Sequence, residues 1–410
     1  MNPGLERLQP YPFQRLSALV ADVAPPAHLS AIPLSIGEPR HAPPADVIET
    51  LRDPRALSAS LGKYPPTLGL PELRSACADW LTRRFELAPG ALGPTQVLPV
   101  TGTREALFAL PQALIDPAEG AAVLMPNPFY QIYEGAALLA GAEPVYLPCT
   151  ASSDWLADLD AVDAATWDRC ALLYLCSPGN PCGAALDAAA WMRVLELADR
   201  HDFVIAADEC YSEIYLQEAR PPVGLLEACS LHGRDDYARC LVLHSLSKRS
   251  NLPGLRSGFI AGDARLVERF GAFRTYHGCG MPVHVQHASI LAWSDEAHVA
   301  ANRAEYRAKF DAVLPVLQES LDVPRPEAGF FLWPAVPDAW SGDDEAFARD
   351  LYAATNVLSL PGRYLSRPSP AGDPGVGRLR LALVAPLEDC VEAAIRMRTF
   401  IGTHASRSER

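Results

Sequence analysis

Short apolar runs alternate with longer amphipathic stretches through the middle of the chain. The apolar runs predict buried strands, and they are AAVLMP at 121–126, CALLYLCSP at 170–178, FVIAADE at 203–209, CLVLHSLS at 240–247 and SGFIAGD at 257–263. The stretch 187–201 between two of them places Ala190, Val194 and Ala198 on one helical face. This alternation predicts an α/β domain with a largely parallel sheet, whose ligands bind at the carboxyl ends of the strands.

The two ends of the chain lack the regular alternation of apolar and amphipathic stretches found in the middle. The first 45 residues are proline-rich and irregular apart from a helical pattern at 13–22. A long helical stretch at about 283–321 is followed by shorter strand and helix patterns. We therefore expect an N-terminal arm that forms part of a small domain (1–45), a large domain (46–290) and a smaller α+β C-terminal domain (291–410).

The composition is that of a soluble globular protein with more than one core. The 410 residues are 49% hydrophobic and 20% charged, and no apolar run approaches the roughly 18 residues that span a bilayer. The N-terminus lacks the basic and apolar regions of a secretory signal, so the expected location is the cytoplasm. A net charge of −14 without a basic stripe argues against a nucleic-acid partner.

Neither disulfides nor a metal site are expected. The ten cysteines show no framework spacing, and Cys170, Cys176 and Cys240 lie in apolar runs, where cysteine usually packs as a small hydrophobic residue. The segment HGCGMPVHVQH at 277–287 contains His and Cys but neither CxxC nor HExxH spacing.

Lysine is scarce in this chain. Lys63, Lys248 and Lys309 are the only lysines, whereas there are 32 arginines. Where only a positive charge was needed, arginine was generally used. The lysine in LVLHSLSKRS, at the end of an apolar run, is therefore a candidate for a role that needs its amine.

Polar residues follow each of the central apolar runs. If the strands are parallel neighbours, these residues converge at one edge of the sheet, and they are Asn180, Asp208, Tyr211, Ser245, Ser247 and Lys248. Taken singly, an Asp after a strand is usually a cap or turn residue. SLSK also matches the S-x-x-K pattern of penicillin-recognising serine enzymes, with Ser245 as nucleophile, but the sequence has no K-T-G element.

Together these groups match the chemical needs of pyridoxal phosphate. An amine can form a Schiff base with its aldehyde, a carboxylate can hold its ring nitrogen protonated, and hydroxyl and amide groups can bond its phenolic oxygen. Its phosphate could be held by the start of the helix in VTGTREALFAL (100–110), the two serines and Arg256. TGTREAL can also be a plain helix cap, with Thr101 or Thr103 capping and Glu105 in the first turn; the two roles are compatible.

The sequence resembles the fold-type I, class I/II aminotransferases over nearly its whole length. The matching motifs occur in the family order, and they are IGEP (36–39), KYPPTLGLPELR (63–74), TGTREAL (101–107), PNPFYQIY (126–133), SPGNPCG (177–183), ADECYSEIY (207–215), SLSKRSNLPGLRSG (245–258) and GRLRLALVAP (377–386). The resemblance implies a homodimer with the pyridoxal-phosphate transferase fold: a large domain with a mostly parallel sheet flanked by helices, plus a smaller α+β domain.

The resemblance also implies roles for individual residues. Lys248 would bond the cofactor aldehyde and then carry the substrate proton, and Asp208 would pair with the pyridine nitrogen. Asn180 and Tyr211 would hydrogen-bond the ring oxygen, and Tyr130 would stack on the ring. The residues implied for the phosphate are Gly102, Thr103, Ser245, Ser247, Arg256 and, from the partner subunit, Tyr64.

For the substrate, the resemblance implies that Arg380 grips the α-carboxylate bidentately, with Asn180 beside it and the backbone of Gly37 close by. Arg378, on the opposite face of the same strand, is expected to be a solvated surface charge. The chain departs from the family pattern at Cys182, which replaces a Thr, and at Arg249, which replaces a smaller residue. The first change is expected to affect packing only, and the second could bear on the subfamily.

At a finer level the chain resembles the bacterial N-succinyldiaminopimelate aminotransferases of lysine biosynthesis, in its first residues and around 274–293 and 329–334. This implies exchange of an amino group between glutamate and N-succinyl-L-2-amino-6-oxopimelate. The amino-acid partner in this exchange, N-succinyl-LL-2,6-diaminopimelate, carries three carboxylates, so cationic groups should line the outer cleft. The candidates by position are Arg40, Arg249, Arg274, His277 and Arg363.

Other functions remain open on the sequence alone. The enzyme could be a different class I/II aminotransferase with an aspartate, alanine or aromatic donor. It could be a lyase or decarboxylase, because the same cofactor residues activate Cα in general. A regulatory module that binds the cofactor without turnover is a further alternative, although no DNA-binding extension or basic patch supports it.

Overall fold

The computed structural model describes residues 1–278, 280–370 and 372–408, without the side chains of 405–408. Cys279, in the His- and Cys-containing segment, lies outside the described residues. The helices are α1 (Pro12–Leu19), α2 (Ala45–Arg52), α3 (Pro54–Leu61), α4 (Pro71–Arg84), α5 (Thr103–Leu114), α6 (Ile132–Leu139), α7 (Ala164–Trp167), α8 (Ala188–His201), α9 (Leu225–Leu231), α10 (Leu246–Arg249), α11 (Ala264–His277), α12 (Val283–Ser294), α13 (Ala297–Leu317), α14 (Asp344–Thr355) and α15 (Leu387–Ser408).

A mostly parallel sheet forms the centre of the molecule. The strands of the chain are β1 (Ile32–Pro33), β2 (Val97–Val100), β3 (Ala122–Asn127), β4 (Glu143–Pro148), β5 (Cys170–Cys176), β6 (Val204–Asp208), β7 (Cys240–Ser245), β8 (Gly258–Gly262), β9 (Phe331–Leu332), β10 (Val357–Leu358), β11 (Leu360–Pro361) and β12 (Leu379–Ala382). The central sheet has the order β2-β8-β7-β6-β5-β3-β4. Neighbours from β7 to β4 are parallel, and β8 is antiparallel to both β7 and β2. The predicted α/β class with a largely parallel sheet is confirmed.

Helices cover both faces of this sheet, which explains why its strands are continuous apolar runs. Along β5, Leu172 and Tyr174 face one apolar core, and Leu173 and Leu175 face the other. Helices α5, α6 and α11 contribute to the first core, and α4, α8, α9 and α12 contribute to the second. Burial of each large aliphatic side chain in such a core contributes about 1.5–3 kcal/mol. The carboxyl ends of β5, β6 and β7 are thereby fixed side by side.

A second, smaller core joins the N-terminal segment to the C-terminal part. β12 pairs antiparallel with β9 and β11, and Ile32 of β1 pairs with Val357 of β10. Apolar residues from α13, α14 and α15 pack around these strands, including Phe310, Leu351 and Met397. The N-terminal arm therefore contacts the C-terminal sheet. The division of the chain at residues 45 and 290 stays a prediction.

Two helices replace the single helical stretch expected at 283–321. α12 ends at Ser294, and α13 begins at Ala297. The break lies at Asp295, whose carboxylate accepts hydrogen bonds from the backbone N–H groups of Ala297 and His298 at the start of α13. Within the described residues, none of the helices combines the length and apolar character needed to cross a membrane.

Candidate active site

A cavity of about 540 Å³ opens at the carboxyl ends of β5, β6 and β7. The predicted residues on its lining are Gly37, Thr103, Tyr130, Asn180, Asp208, Tyr211, Ser245, Ser247, Lys248, Arg256 and Arg380. A larger depression of about 670 Å³ runs along α8, but none of the described residues on its lining belongs to the predicted set. The strand-end cavity is therefore the candidate active site.

Lys248 lies in the short helix α10, directly after β7. Its Nζ donates a hydrogen bond to the carbonyl oxygen of Gly37 at 2.5 Å and lies 5.4 Å from the centre of the Phe330 ring. Burial lowers the pKa of Lys248 from 10.5 to about 8, because the ammonium is poorly solvated in this position. A lysine with such a pKa is partly neutral near physiological pH and can act as a nucleophile or base.

Asp208 ends β6 at the floor of the cavity. The hydroxyl group of Tyr133 donates a hydrogen bond to its Oδ2 at 2.7 Å, and the backbone N–H of Cys210 donates to Oδ1 at 3.3 Å. Burial raises the pKa of Asp208, and these hydrogen bonds oppose that rise. An additional cationic N–H donor in the cavity would favour the ionised carboxylate further.

Tyr211 and Asn180 lie on the wall beside Asp208. The ring of Tyr211 packs edge-on against Phe330 and Phe331, with centroid distances of 5.4 and 5.6 Å. Burial raises the pKa of Tyr211 well above its ordinary value, so its hydroxyl group stays protonated and can donate. The Oδ1 atom of Asn180 accepts a hydrogen bond from Arg380, which leaves its amide N–H₂ to serve as a donor.

An anion-binding cradle is formed where α5 begins. Gly102 has φ = +85°, and a Cβ atom there would collide with the guanidinium group of Arg256, so the close approach requires glycine. Arg256 itself is anchored by donating to the carbonyl oxygens of Pro253 and Thr101 at 2.9 and 3.4 Å. Helix α5 starts at Thr103, directly after Gly102, so its N-terminus, with backbone N–H groups that have no partner inside the helix, lies beside this region.

Two serine hydroxyl groups complete the cradle. The hydroxyl group of Ser245 accepts from the backbone N–H of Ser247 at 3.1 Å and lies 2.9 Å from the Ser247 hydroxyl group. A guanidinium, two hydroxyl groups and a helix N-terminus are a donor set that suits a phosphate group. The residues present therefore fit pyridoxal phosphate: a phosphate cradle at one end of the cavity, Asp208 for the ring nitrogen and Lys248 for the aldehyde.

Arg380 differs from the other buried arginines. Among the described residues, Arg249, Arg274 and Arg303 are buried and each contacts a carboxylate. Arg380 is only 5% exposed, and the ion pairs of the described residues include none with Arg380. Its Nη2 donates to the carbonyl oxygen of Ser35 at 2.7 Å, and burial lowers its pKa to about 10. Its Nε atom, like that of Arg249, has no hydrogen-bond partner among the described residues. This arrangement favours an incoming carboxylate.

Three predicted residues need separate comment. The hydroxyl group of Tyr130 lines the cavity and accepts a hydrogen bond from Nε of Arg104 at 2.7 Å. Gly102 shapes the cradle without being on the described cavity lining. Tyr64 is fully exposed and outside the cavity of its own chain, so its predicted contribution to a partner subunit stays a prediction.

None of the positional candidates for the distal carboxylates is on the described lining of the cavity. The expectation was wrong for Arg249, Arg274 and Arg363, which pair with acids of this chain, and it stays a prediction for Arg40 and His277. Arg249 is buried against the rings of Trp80 and Trp293 and pairs with Glu296. Arg274 pairs with Glu105, Arg363 pairs with Asp344, and Arg40 and His277 are exposed residues off the cavity lining. Arg249, Arg274 and Arg363 are each held by an acid that is distant in the sequence, and the order of the residues does not reveal these pairs.

The expectation for Arg378 was also wrong. Its guanidinium carbon lies 4.6 Å from the centre of the Trp155 ring, and its Nη1 donates to the carbonyl oxygen of Trp333 at 3.3 Å. The side chain is therefore half-buried against an aromatic surface rather than freely solvated. The substitution at Cys182 leaves its Sγ 3.5 Å from the carbonyl oxygen of Trp155, a packing position, as expected.

The sequence analysis missed Tyr133, Arg104 and Tyr11. Tyr133 stacks on Tyr174 with centroids 4.6 Å apart and holds Asp208 by a hydrogen bond. Arg104 and Tyr11 lie on the cavity lining, and Nη2 of Arg104 donates to the hydroxyl group of Tyr11 at 3.2 Å. Tyr133 and Arg104 occur within motifs that the sequence singled out, so a closer reading of PNPFYQIY and TGTREAL could have found them.

Comparison with known proteins identifies the kind of site. The family profile for aminotransferase class I and II matches residues 30–394. An LL-diaminopimelate aminotransferase of Desulforudis audaxviator is 32% identical over 402 residues, which cover 97% of each chain. The same enzyme of Maridesulfovibrio salexigens is 31% identical over 96% of this chain and 97% of its own.

Solved structures give the same result. The crystal structure of an aminotransferase from Neisseria meningitidis superposes with a TM-score of 0.92 and 46% identity, covering 97% of this chain and 99% of the other. The aminotransferase AspB from Helicobacter pylori has a TM-score of 0.86 and 34% identity, covering 96% of this chain and 99% of its own.

Proposed function

Because the chain belongs to the class I and II aminotransferases, which use pyridoxal phosphate, we propose that it exchanges an amino group between glutamate and N-succinyl-L-2-amino-6-oxopimelate in lysine biosynthesis. The observation that carries the amino-acid part of this proposal is Arg380, a buried arginine without an acidic partner among the described residues. A substrate α-carboxylate would satisfy it bidentately. The proposal of the succinylated substrate, rather than another amino acid, is based on the residues at the mouth of the cavity.

We assign cofactor contacts to residues of the strand-end cavity. Asp208 would accept from the ring nitrogen, Tyr211 and Asn180 would donate to the ring oxygen, and Tyr130 would cover the ring. The cradle of Gly102, Thr103, Ser245, Ser247 and Arg256 would hold the phosphate. The bound cofactor supplies an electron sink that stabilises negative charge on the substrate Cα.

Lys248 would then carry the proton. A fraction of its amine is neutral at physiological pH, because burial lowers its pKa to about 8. Its Nζ is oriented by the carbonyl oxygen of Gly37, and it would take a proton from Cα and deliver it to the carbon on the other side of the substrate's amino nitrogen. Arg380 would fix the α-carboxylate, so the Cα–H bond points towards Lys248.

The mouth of the cavity supports a substrate with a distal acid. Arg104 lines the mouth, and its described hydrogen bonds go to the hydroxyl groups of Tyr130 and Tyr11 rather than to a carboxylate. N-succinyl-LL-diaminopimelate carries three carboxylates and one ammonium group, whereas LL-diaminopimelate carries two of each. A cation at the mouth therefore attracts the succinylated substrate more strongly.

LL-diaminopimelate itself is the second candidate, because the relatives at about 32% identity are LL-diaminopimelate aminotransferases. Glu38, which also lines the cavity, could accept from the free distal ammonium group of that substrate. The two candidates differ in charge at the distal end of the substrate, so direct comparison of the two amines separates them.

The decisive experiment measures kcat/KM with 2-oxoglutarate and each amine in turn: N-succinyl-LL-diaminopimelate, LL-diaminopimelate, aspartate, alanine and phenylalanine. The proposal expects the succinylated amine to be preferred by about 10²-fold or more, with glutamate as product. Preference for LL-diaminopimelate would select the second candidate, and preference for a simple amino acid would reject both. Loss of carbon dioxide or elimination in place of glutamate formation would indicate a decarboxylase or lyase, and absence of turnover a binding module.

We also propose a cytoplasmic homodimer in which the exposed Tyr64 reaches the phosphate cradle of the partner subunit. A Tyr64→Phe variant should bind pyridoxal phosphate about tenfold more weakly, since one hydrogen bond to a charged group contributes roughly 1.5 kcal/mol. A protein that is monomeric by light scattering yet fully active would contradict this assembly.

A further inference from the structure

A buried cluster on α13 connects Lys309, one of the three lysines, to the turn that carries Lys248. Nζ of Lys309 lies 2.5 Å from Nε2 of His41, and Nδ1 of His41 lies 2.7 Å from Oδ1 of Asn302. Lys309 is 2% exposed, and the side chain of His41 is 6% exposed. These groups are thus removed from solvent and depend on one another for hydrogen bonds.

The directions of these hydrogen bonds are fixed by chemistry. The Lys309 ammonium can only donate, so Nε2 of His41 must accept, and Nδ1 must carry the proton that it donates to Asn302. Oδ1 of Asn302 also accepts from Nδ2 of Asn251 at 3.0 Å, which places its own Nδ2 as a donor. That Nδ2 donates to the carbonyl oxygens of Lys248 and Arg249, each at 3.3 Å.

The same segment of chain meets Lys248 a second time. Gly37, four residues before His41, accepts the hydrogen bond from Nζ of Lys248. The segment from 37 to 41 is therefore held at one end by the Lys248 side chain and at the other end by Lys309. Its position determines where the backbone of Gly37 lies relative to the reacting amine.

We propose that Lys309 and His41 are positioning residues that act through Asn302 to hold the Lys248 turn and Gly37 in register for the reaction. The inference rests on the proposed role of Lys248. Packing alone would not need this chemistry, because a methionine would fill the space of the Lys309 side chain without requiring an acceptor. The lysine supplies what methionine lacks, a donor that selects one tautomer of His41.

The surroundings of the pair define its response to pH. Burial lowers the pKa of His41, and the Lys309 charge lowers it further, while Asn302 and Glu305 raise it. Burial lowers the pKa of Lys309, and Cys390, Glu305 and Glu388 oppose this. The remaining neighbours are Tyr306, whose ring lies 4.5 Å from that of His41, and Arg40, adjacent in sequence.

His41 must be neutral at Nε2 to accept from Lys309. Because its pKa in the folded protein is below the ordinary 6.5, the hydrogen-bond chain is intact above that value and is lost as the pH falls through the lowered pKa. The acidic limb of the pH profile of kcat/KM should therefore shift when the charges around His41 are changed.

Three variants test the proposal: two should shift the acidic midpoint of kcat/KM in opposite directions, and the third should remove it. Lys309→Met removes a positive charge and the donor, so the acidic midpoint of kcat/KM should rise and kcat should fall about tenfold. Glu305→Gln removes a carboxylate 3.5 Å from Nε2 of His41, so the midpoint should move to lower pH. His41→Gln keeps an acceptor and a donor but cannot titrate, so the contribution of His41 to the acidic limb of the pH profile should disappear.

Two readouts do not depend on turnover. The pH midpoint of the absorbance of pyridoxal phosphate bound at Lys248 should shift in Lys309→Met but not in a merely less stable protein. Nitrogen NMR of labelled imidazole side chains, with His41→Gln for assignment, should show His41 protonated at Nδ1. Thermal unfolding of each variant serves as the stability control.

The proposal is overturned if His41 is protonated at Nε2, or if both charge variants keep the wild-type midpoints. Should Lys309→Met fail to fold, Glu305→Gln decides alone, because Glu305 is 60% exposed and its change leaves the core intact. Full turnover in Lys248→Ala would remove the proposed role of Lys248 itself. Loss of turnover there, together with silent His41 and Lys309 variants, would reject only this inference.

Discussion

Two buried arginines, Arg249 and Arg380, occupy opposite kinds of surroundings. Arg249 lies where α10 meets α12, against the rings of Trp80 and Trp293, with hydrogen bonds to the carbonyl oxygen of Ala292 and to the carboxylate of Glu296. Arg380 lies at the strand-end cavity, over the ring of Phe331, and its hydrogen bonds to the described part of the chain go to the neutral oxygens of Asn180 and Ser35. Within the described residues, the charge of Arg249 is matched by an acid, whereas the charge of Arg380 is not.

This difference separates structural charges from binding charges. A buried cation without an acidic partner is costly, so its presence indicates that another molecule supplies the anion. Lys248 and Arg380 line the same cavity, and burial is the main cause of the lowered pKa of each. Substitutions at the cavity should therefore affect catalysis and binding, and Arg249 provides a control outside the cavity.

The largest effect is expected for Lys248→Ala. Removal of the amine eliminates both the bond to the cofactor and the proton carrier, so kcat should fall on the order of 10⁴-fold or more. The phosphate cradle and Asp208 remain, so dialysed protein should still bind pyridoxal phosphate by fluorescence titration. A turnover rate within tenfold of the native rate would contradict the assignment.

Asp208→Asn should lower kcat by about 10²–10³-fold, the loss seen when one preorganised electrostatic contact to developing charge is removed. Asparagine keeps the shape and can still accept from Tyr133, but it cannot hold a proton on the ring nitrogen. Single-turnover measurements with glutamate should show the loss in the chemical step. An undiminished rate would remove Asp208 from the site.

Arg380→Lys tests the comparison directly. The lysine keeps the charge but not the bidentate geometry, so KM for every amino donor should rise about 10²-fold. In the matched control, Arg249→Met should leave KM nearly unchanged and lower the free energy of unfolding by roughly 2–3 kcal/mol, because the guanidinium contacts to α12 are lost. The reverse pattern, with Arg249→Met affecting KM and Arg380→Lys affecting stability, would contradict the distinction.

Arg104→Gln is expected to act on a subset of substrates. For amines with a distal carboxylate, kcat/KM should fall about tenfold, because the loss of a partly exposed charge contact costs roughly 1.4 kcal/mol. For alanine, which has no distal carboxylate, it should stay within twofold. Equal losses for both kinds of amine would exclude Arg104 as the group that recognises the distal acid.

The smallest effect concerns pH in the cofactor-free protein. Because the pKa of Lys248 is lowered to about 8, the folded protein releases this proton earlier than the unfolded chain, whose value is near 10.5. The unfolded chain binds more protons between those values, so the free energy of unfolding should rise with pH across that window. Modification of Lys248 by an amine-reactive reagent should be half-maximal at about pH 8, and a midpoint near that of ordinary lysine would contradict the buried amine.

The sequence allowed the central sheet and much of the cavity to be predicted, for a physical reason. Parallel strands covered on both faces are continuous apolar runs, and their polar ends lie at one sheet edge, so Asp208 and Lys248 could be placed together. Contacts between distant segments could not be predicted. His41 and Lys309 are 268 residues apart, and Arg274 and Glu105 are 169 apart, and the side-chain identities alone do not show which charges meet.

The most direct test of the central claim uses the scarcity of lysine. The purified protein is mixed with pyridoxal phosphate, treated with borohydride to make the lysine bond permanent, digested and analysed by mass spectrometry. Because the chain contains only Lys63, Lys248 and Lys309, each peptide is diagnostic. The account predicts the adduct on Lys248 in stoichiometric amount. Labelling confined to Lys63 or Lys309, or no stable adduct, would contradict it.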